Sequence, residues 1–232
     1  DDYLNSYYDA VDFDRAGINI DTEPGSSVNL DTDGSYEYGY ISGAVSVVDV
    51  DSDGDSDVIY FPGTVSYDPS SGVSDIAYPG HTWFYKAVID TSDLDNPEWC
   101  EFVDPYDYVE ARQEVYYAST TAWHTDGSLG VYWGTGSPYD RLNSDPGYVF
   151  GFIDESPTSC PTTATPICTG GYLEMDEGEG LTGNPIAYQG VVYFPTYTPN
   201  EDRCENGLGK IRGMSYNTCE GKVGVIVKVI RN

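Results

Sequence analysis

Five aspartates fall within nine residues of the run Val48-Asp49-Val50-Asp51-Ser52-Asp53-Gly54-Asp55-Ser56-Asp57-Val58. Counted from Asp49, carboxylates occupy every odd position and glycine the sixth. Alternate side chains of a curled loop point at one centre, and a hard cation such as calcium takes about six to eight oxygen ligands in a flexible shell. A polar turn would need no more than a pair of such residues. Five carboxylates left unneutralised at this spacing would repel one another. The spacing therefore predicts a Ca²⁺ site formed by Asp49, Asp51, Asp53, Asp55 and Asp57, with Gly54 at the sharp turn. In that register Asp55 offers its backbone carbonyl, and Asp57 binds directly or through water. An EF-hand would carry a bidentate Glu at the twelfth position and a helix on each side. Here that position is Tyr60, and residues 44–48 and 58–61 read as strands, so the loop is EF-like but sits in a hairpin.

No other constellation carries comparable chemistry. Asp31-Thr32-Asp33-Gly34 describes any polar turn. His81 and His124 have no Ser, Cys or metal-ligand partners near them in sequence and read as surface or strand-packing residues. The five cysteines, Cys100, Cys160, Cys168, Cys204 and Cys219, form no C-x-x-C pattern, and with two histidines they suit neither haem nor zinc. Disulfides are the simpler reading. Cys160 with Cys168, and Cys204 with Cys219, each bracket a loop, which leaves Cys100 as a free thiol or paired with a segment outside the chain. Export to an extracellular or periplasmic space follows. Among 39 Asp and Glu some pair can always be nominated as acid and base, so none is, and the chain reads as a non-enzyme.

The elements that must hold the loop are strands. Short runs rich in Val, Ile, Tyr and Trp recur between Gly, Pro, Asp and Ser clusters, without helical periodicity. A weak repeat runs through them. Its first unit is 43–48, 58–63 and 80–85; its second is 115–118, 131–136 and 147–152; its third is 185–188, 191–195 and 209–214. Residues 223–229 form a closing strand. The aromatic pairs Tyr60-Phe61, Tyr132-Trp133 and Tyr193-Phe194 mark the same point in each unit. Their spacing exceeds a bare four-stranded blade and suits blades with loop insertions, at 64–80 and 154–183. The predicted fold is all-β, a modified β-propeller or a multi-blade part of one, with residues 1–232 as one domain. A β-sandwich is the alternative. So few blades do not close a ring, and the chain starts without Met, so it reads as a processed chain or the C-terminal part of a longer protein.

A net charge of −29, from 39 acidic and 10 basic residues, argues against nucleic acid and anionic membranes as partners. The 22 Tyr, 7 Phe and 4 Trp distinguish the chain from acidic disordered segments. Most of the charge reads as solvated surface. No apolar stretch approaches the roughly 20 residues of a membrane span.

With the acidic loop, the runs Ala111-Arg112-Gln113-Glu114-Val115-Tyr116-Tyr117, Leu129-Gly130-Val131-Tyr132-Trp133-Gly134-Thr135-Gly136, Gly183-Asn184-Pro185 and Gly190-Val191-Val192-Tyr193-Phe194-Pro195-Thr196-Tyr197-Thr198-Pro199 resemble the C-terminal propeller of the PilY-type type IV pilus tip adhesins. The resemblance covers roughly residues 36 to 220, in the family's order. It implies a modified propeller of about seven blades, a place at the pilus tip, contact with minor pilins, adhesion to host or abiotic surfaces, and calcium-dependent control of pilus extension and retraction. The family's metal ligands carry over by position onto Asp49, Asp51, Asp53, Asp55 and Asp57. No Arg-Gly-Asp occurs, so integrin binding is not implied. Two other functions fit the same residues: a structural subunit of an extracellular filament or surface layer, and a quinoprotein-like propeller enzyme.

Overall fold

The computed structural model describes residues 11–14, 17–20, 38–41, 43–66, 82–89, 98–105, 108–109, 115–136, 145–160, 163–200, 207–219, 221–222 and 226–227. Strands β1 (Val11–Asp14) and β2 (Gly17–Ile20) form a two-stranded ribbon. The rest is three antiparallel sheets, each built mainly from sequential neighbours, as short connections favour.

The first sheet holds β3 (Tyr38–Ile41), β4 (Ser46–Val48), β5 (Val58–Ser66), β6 (Thr82–Val88) and β7 (Glu98–Val103). The second holds β8 (Thr120–Trp123), β9 (Leu129–Gly134), β10 (Tyr148–Asp154), β11 (Ala164–Pro166) and β12 (Tyr172–Glu174). The third holds β13 (Gly180–Leu181), β14 (Ile186–Tyr188), β15 (Val191–Thr198), β16 (Leu208–Ser215), β17 (Gly221–Lys222) and β18 (Ile226–Val227). The protein is thus all-β, with no α-helix among the described residues and no sheet closed on itself.

The three predicted repeat units fall one to a sheet. Two details differ. The second unit opens with 120–123, whereas Val115 and its neighbours lie outside any strand, buried or half-buried beside the core. The stretch 154–183 is not a plain loop: β11 and β12 both pair with β10, and β13 pairs with β15. These strands are two or three residues long, too short for a period-2 pattern to emerge from the surrounding Pro, Thr and Gly. Of the predicted closing strand, Ile226–Val227 is described and pairs with Gly209 and Lys210.

Burial explains the order of layers. All six residues of β9 are buried, which requires cover on both faces. Leu129, Val131 and Trp133, with Tyr148, Phe150 and Phe152, pack against Val58, Tyr60, Phe84 and Phe102 of the first sheet. Tyr132 and Val149, the alternate residues, pack with Val192, Phe194 and Met214 of the third. The second sheet is the middle layer. Trp133 stacks on Phe84 with ring centroids 4.2 Å apart and planes 8° from parallel. On the opposite face Gly134 admits the third sheet, since a Cβ there would stand 3.0 Å from Leu181 Cδ1.

Two disulfides tie the layers, and their pairing corrects the local brackets expected from sequence. Cys100 on β7 bonds Cys160 beyond β10, and Cys168 bonds Cys219. Cys160 does not pair with Cys168, and Cys100 is not odd. Sequence proximity misled because the sheets stack face to face, which brings together residues 60 and 51 positions apart. Cys204 lies outside the described residues.

Candidate metal centre

The acidic loop joins β4 to β5. Val48 pairs with Val58 in the ladder, and the Asp57 N–H donates to the Val48 carbonyl at 3.0 Å, closing the hairpin at the loop's base. Val58 is fully buried, so the loop springs from an anchored edge while residues 51–56 face solvent. Inside it the chain curls: Ser52 and Gly54 have φ of 64° and 99°, the left-handed region that glycine enters without penalty. Gly54 thus serves the turn expected of it.

The curl turns backbone N–H groups onto the carboxylates. Asp49 accepts from Ser52 N at 2.6 Å through Oδ1 and from Gly54 N at 3.0 Å through Oδ2. Asp57 Oδ2 accepts from Val50 N at 2.5 Å and Asp51 N at 3.4 Å. Asp51 Oδ1 accepts from Asp53 N at 3.2 Å, and Asp53 Oδ1 from Asp55 N at 2.9 Å. These donors fix the loop and offset part of the repulsion among its charges. A carboxylate has roughly four lone-pair sites, so oxygen capacity remains.

Three of the five predicted ligands come together. Asp49, Asp51 and Asp57 each present an oxygen within 4.8 Å of the others; Asp53 and Asp55 lie outside this group and are exposed. The exposed Asp51 carboxyl lies above its ordinary value of 3.8: slight desolvation by the neighbouring chain raises it, the bond from Asp53 N–H opposes, and the charges of Asp53, Asp57 and Asp49 raise it further. Such a convergence of hard oxygens can hold a divalent cation, with water and backbone carbonyls completing the shell. An exposed acidic triad can also exist without one.

Of the remaining sequence candidates, His81 and residues 31–34 lie outside the described residues. His124 is a packing residue: its Nε2 lies 2.6 Å from Tyr132 Oη, which itself donates to the Tyr216 carbonyl at 2.8 Å. Nε2–H is then the donor to Tyr132. Burial holds the imidazole below its ordinary 6.5, against the opposing pull of Asp126.

Two ionic clusters escaped the sequence reading. In the first, Lys86 and Asp154, both with fully buried side chains, pair at 3.0 Å, and Tyr60 Oη donates to Asp154 Oδ2 at 2.6 Å. A lone Lys within Trp83-Phe84-Tyr85-Lys86-Ala87-Val88 is the signal that could have found it, because lysine is almost never fully buried without a partner. In the second, buried Glu179 meets Arg212 Nε at 2.7 Å, Lys210 Nζ at 2.9 Å and the Thr196 hydroxyl, while Asp176 bonds the same two cations. Burial pushes Glu179 up, but the bonds from Arg212, Thr196 and Lys210 prevail and hold it below its ordinary value. Lys210 and then Arg212 hold Asp176 down to about 2.

No protein-family model matches the chain, and no curated protein matches it either. Fold and site therefore define a class only: an antiparallel all-β protein with two disulfides and an acidic hairpin loop. The disulfides are compatible with export, and no helix among the described residues is long and apolar enough to cross a membrane.

Proposed function

We infer that the protein is an exported, calcium-binding adhesion and pilus-biogenesis module built on part of a β-propeller. The convergence of Asp49, Asp51 and Asp57 within 4.8 Å is the observation that carries the calcium reading. Oxygen-only ligands favour calcium over softer metals.

Several features support the propeller. Each large sheet contains a meander of four strands, β4 to β7, β8 to β11 and β14 to β17. Consecutive sheets stack face to face, as blades do. Their first strands, β4, β8 and β14, touch in succession, as the innermost strands of neighbouring blades would. Here Ser46 Oγ donates to the Ser119 carbonyl at 2.6 Å, and the Ala118 N–H to Asn184 Oδ1 at 3.0 Å.

Adhesion at a pilus tip, through minor pilins and host or abiotic surfaces, rests on the sequence resemblance and on one surface. Ile186, Tyr188, Tyr193 and Ile211 are exposed on the third sheet, with Ile186 opposite Tyr193 in the ladder. Apolar side chains gathered on one sheet face mark contact surfaces. The same face favours a second reading, a filament or surface-layer subunit whose copies associate through it.

Isothermal calorimetry with Ca²⁺ tests the central reading on the unmutated protein and on Asp51→Ala with Asp53→Ala. Heat is expected from the first and not the second; no calcium-dependent heat from the unmutated protein removes the proposal. Sedimentation separates the two roles, since a filament subunit forms polymers on its own and a tip adhesin remains dispersed.

A further inference from the structure

We propose that Lys86 and Asp154 condense spontaneously into an intramolecular amide, a covalent cross-link between the first and second sheets. The two are drawn from strands 68 residues apart in sequence and meet with no exposed side-chain surface on either. Tyr60 stands directly opposite Lys86 in the β5–β6 register, so a phenol and an amine from adjacent strands reach the same carboxyl group. The surroundings are aromatic: Phe102 packs edge-on against Tyr60 at 5.3 Å, and Phe84 lies in the same core.

In such a setting the charged pair is costly. Removing an ammonium and a carboxylate from water is unfavourable for each ion, and transfer of one proton within the pair relieves that cost. Burial lowers the Lys86 pKa against the opposing pull of Asp154, in the direction that frees the amine. Burial also raises the Tyr60 phenol far above its ordinary value, so it stays protonated and gives up its proton only as another reaches it.

Each atom has a place. A proton passes from Lys86 Nζ to Asp154 Oδ2 across 3.0 Å. The freed amine lone pair attacks Cγ, and charge develops on Oδ1, which already accepts the Ser156 N–H at 2.9 Å. The Ser156 carbonyl accepts from Nζ at 2.7 Å and orients it. Tyr60 donates its proton to Oδ2, 2.6 Å away, and regains one from the nitrogen. The Cγ–Oδ2 bond breaks and Oδ2 leaves as water. One N–C bond forms and one C–O bond breaks, no electrons leave the system, and the product is neutral like the pair that made it. The phenol acts as a proton relay, giving one proton to the leaving oxygen as it takes one from the nitrogen, a role worth roughly a hundredfold in rate.

The test is the intact mass of the folded, purified protein after reduction and alkylation, which no substitution can confound by unfolding. The expected result is a mass one water below that of the fully alkylated sequence, with tandem mass spectrometry of a digest finding one branched peptide joining the Lys86 and Asp154 segments. Lys86→Arg should recover the full mass. Tyr60→Phe should slow the appearance of the branched peptide about a hundredfold. A full-mass unmutated protein overturns the proposal, as does a water loss that maps to a succinimide at an Asp-Gly step. An unchanged rate in Tyr60→Phe overturns the role given to the phenol.

Discussion

Lys86 and Cys100 stand opposite one another in the β6–β7 register, and each reaches across to the second sheet. Lys86 does so through Asp154 at the end of β10, and Cys100 through Cys160, six residues further on. One short stretch of the ladder therefore carries both the buried ion pair and the disulfide that bind these layers. The neighbouring interface, between the second and third sheets, has its own bridge, Cys168–Cys219.

Each disulfide closes a long loop, which restricts the unfolded chain strongly. By the chain-entropy relation each should contribute about 4 kcal/mol. Replacing Cys168 and Cys219 with Ala should lower stability by that order in a denaturant titration. Digestion of the unreduced protein should yield one peptide pair containing Cys100 with Cys160 and another containing Cys168 with Cys219.

Trp133 fills the space between the first two sheets, with no exposed surface and stacking contacts to Phe84, Phe150 and Phe152. Trp133→Ala leaves a cavity that rigid sheets cannot close. It should cost about 3–5 kcal/mol, read as a lower denaturation midpoint with little change in slope.

The Asp176, Glu179, Lys210 and Arg212 cluster sets an acid limit. Both carboxyls lie below their ordinary values in the folded protein, so the stability they contribute is present above those values and is lost as pH falls through the folded ones. For Asp176 the window runs from 3.8 down to about 2. Arg212→Ala should move the loss of stability to higher pH, as measured by thermal melts between neutral pH and the acid limit.

Crowding at Asp51 makes opposite effects expected with and without cation. In chelator, Asp51→Asn removes a repelling charge from a loop already held by its backbone donors, and should leave the melting temperature unchanged or slightly raised. Calcium should raise the melting temperature of the unmutated protein and not that of the variant. On the proposed reading of an exported calcium module, the dissociation constant should be about 0.1–1 mM, and calcium at tenfold that value should add about 1.4 kcal/mol.

Much of this architecture was legible in the chain because strand burial writes a local pattern. Short apolar runs such as 131–136 announced strands, and the aromatic pairs marked one unit per sheet, while burial of β9 on both faces emerged only from the stacking. The acidic loop and its glycine turn were equally local, since Gly54 and the Val48–Val58 pairing need only neighbours a few residues away. Short strands within 154–183 left no such pattern and are held by partners instead.

What the sequence alone determined is therefore the strand content, the repeat and an aspartate loop seated in a hairpin. Tertiary structure decided which aspartates converge, which cysteines bond, and that Lys86, Tyr60 and Asp154 share one buried point. The physical reason is the stacking of sheets. Face-to-face packing brings together residues 50 or more positions apart, and their partnership depends on how layers sit against one another, which spacing along the chain does not record.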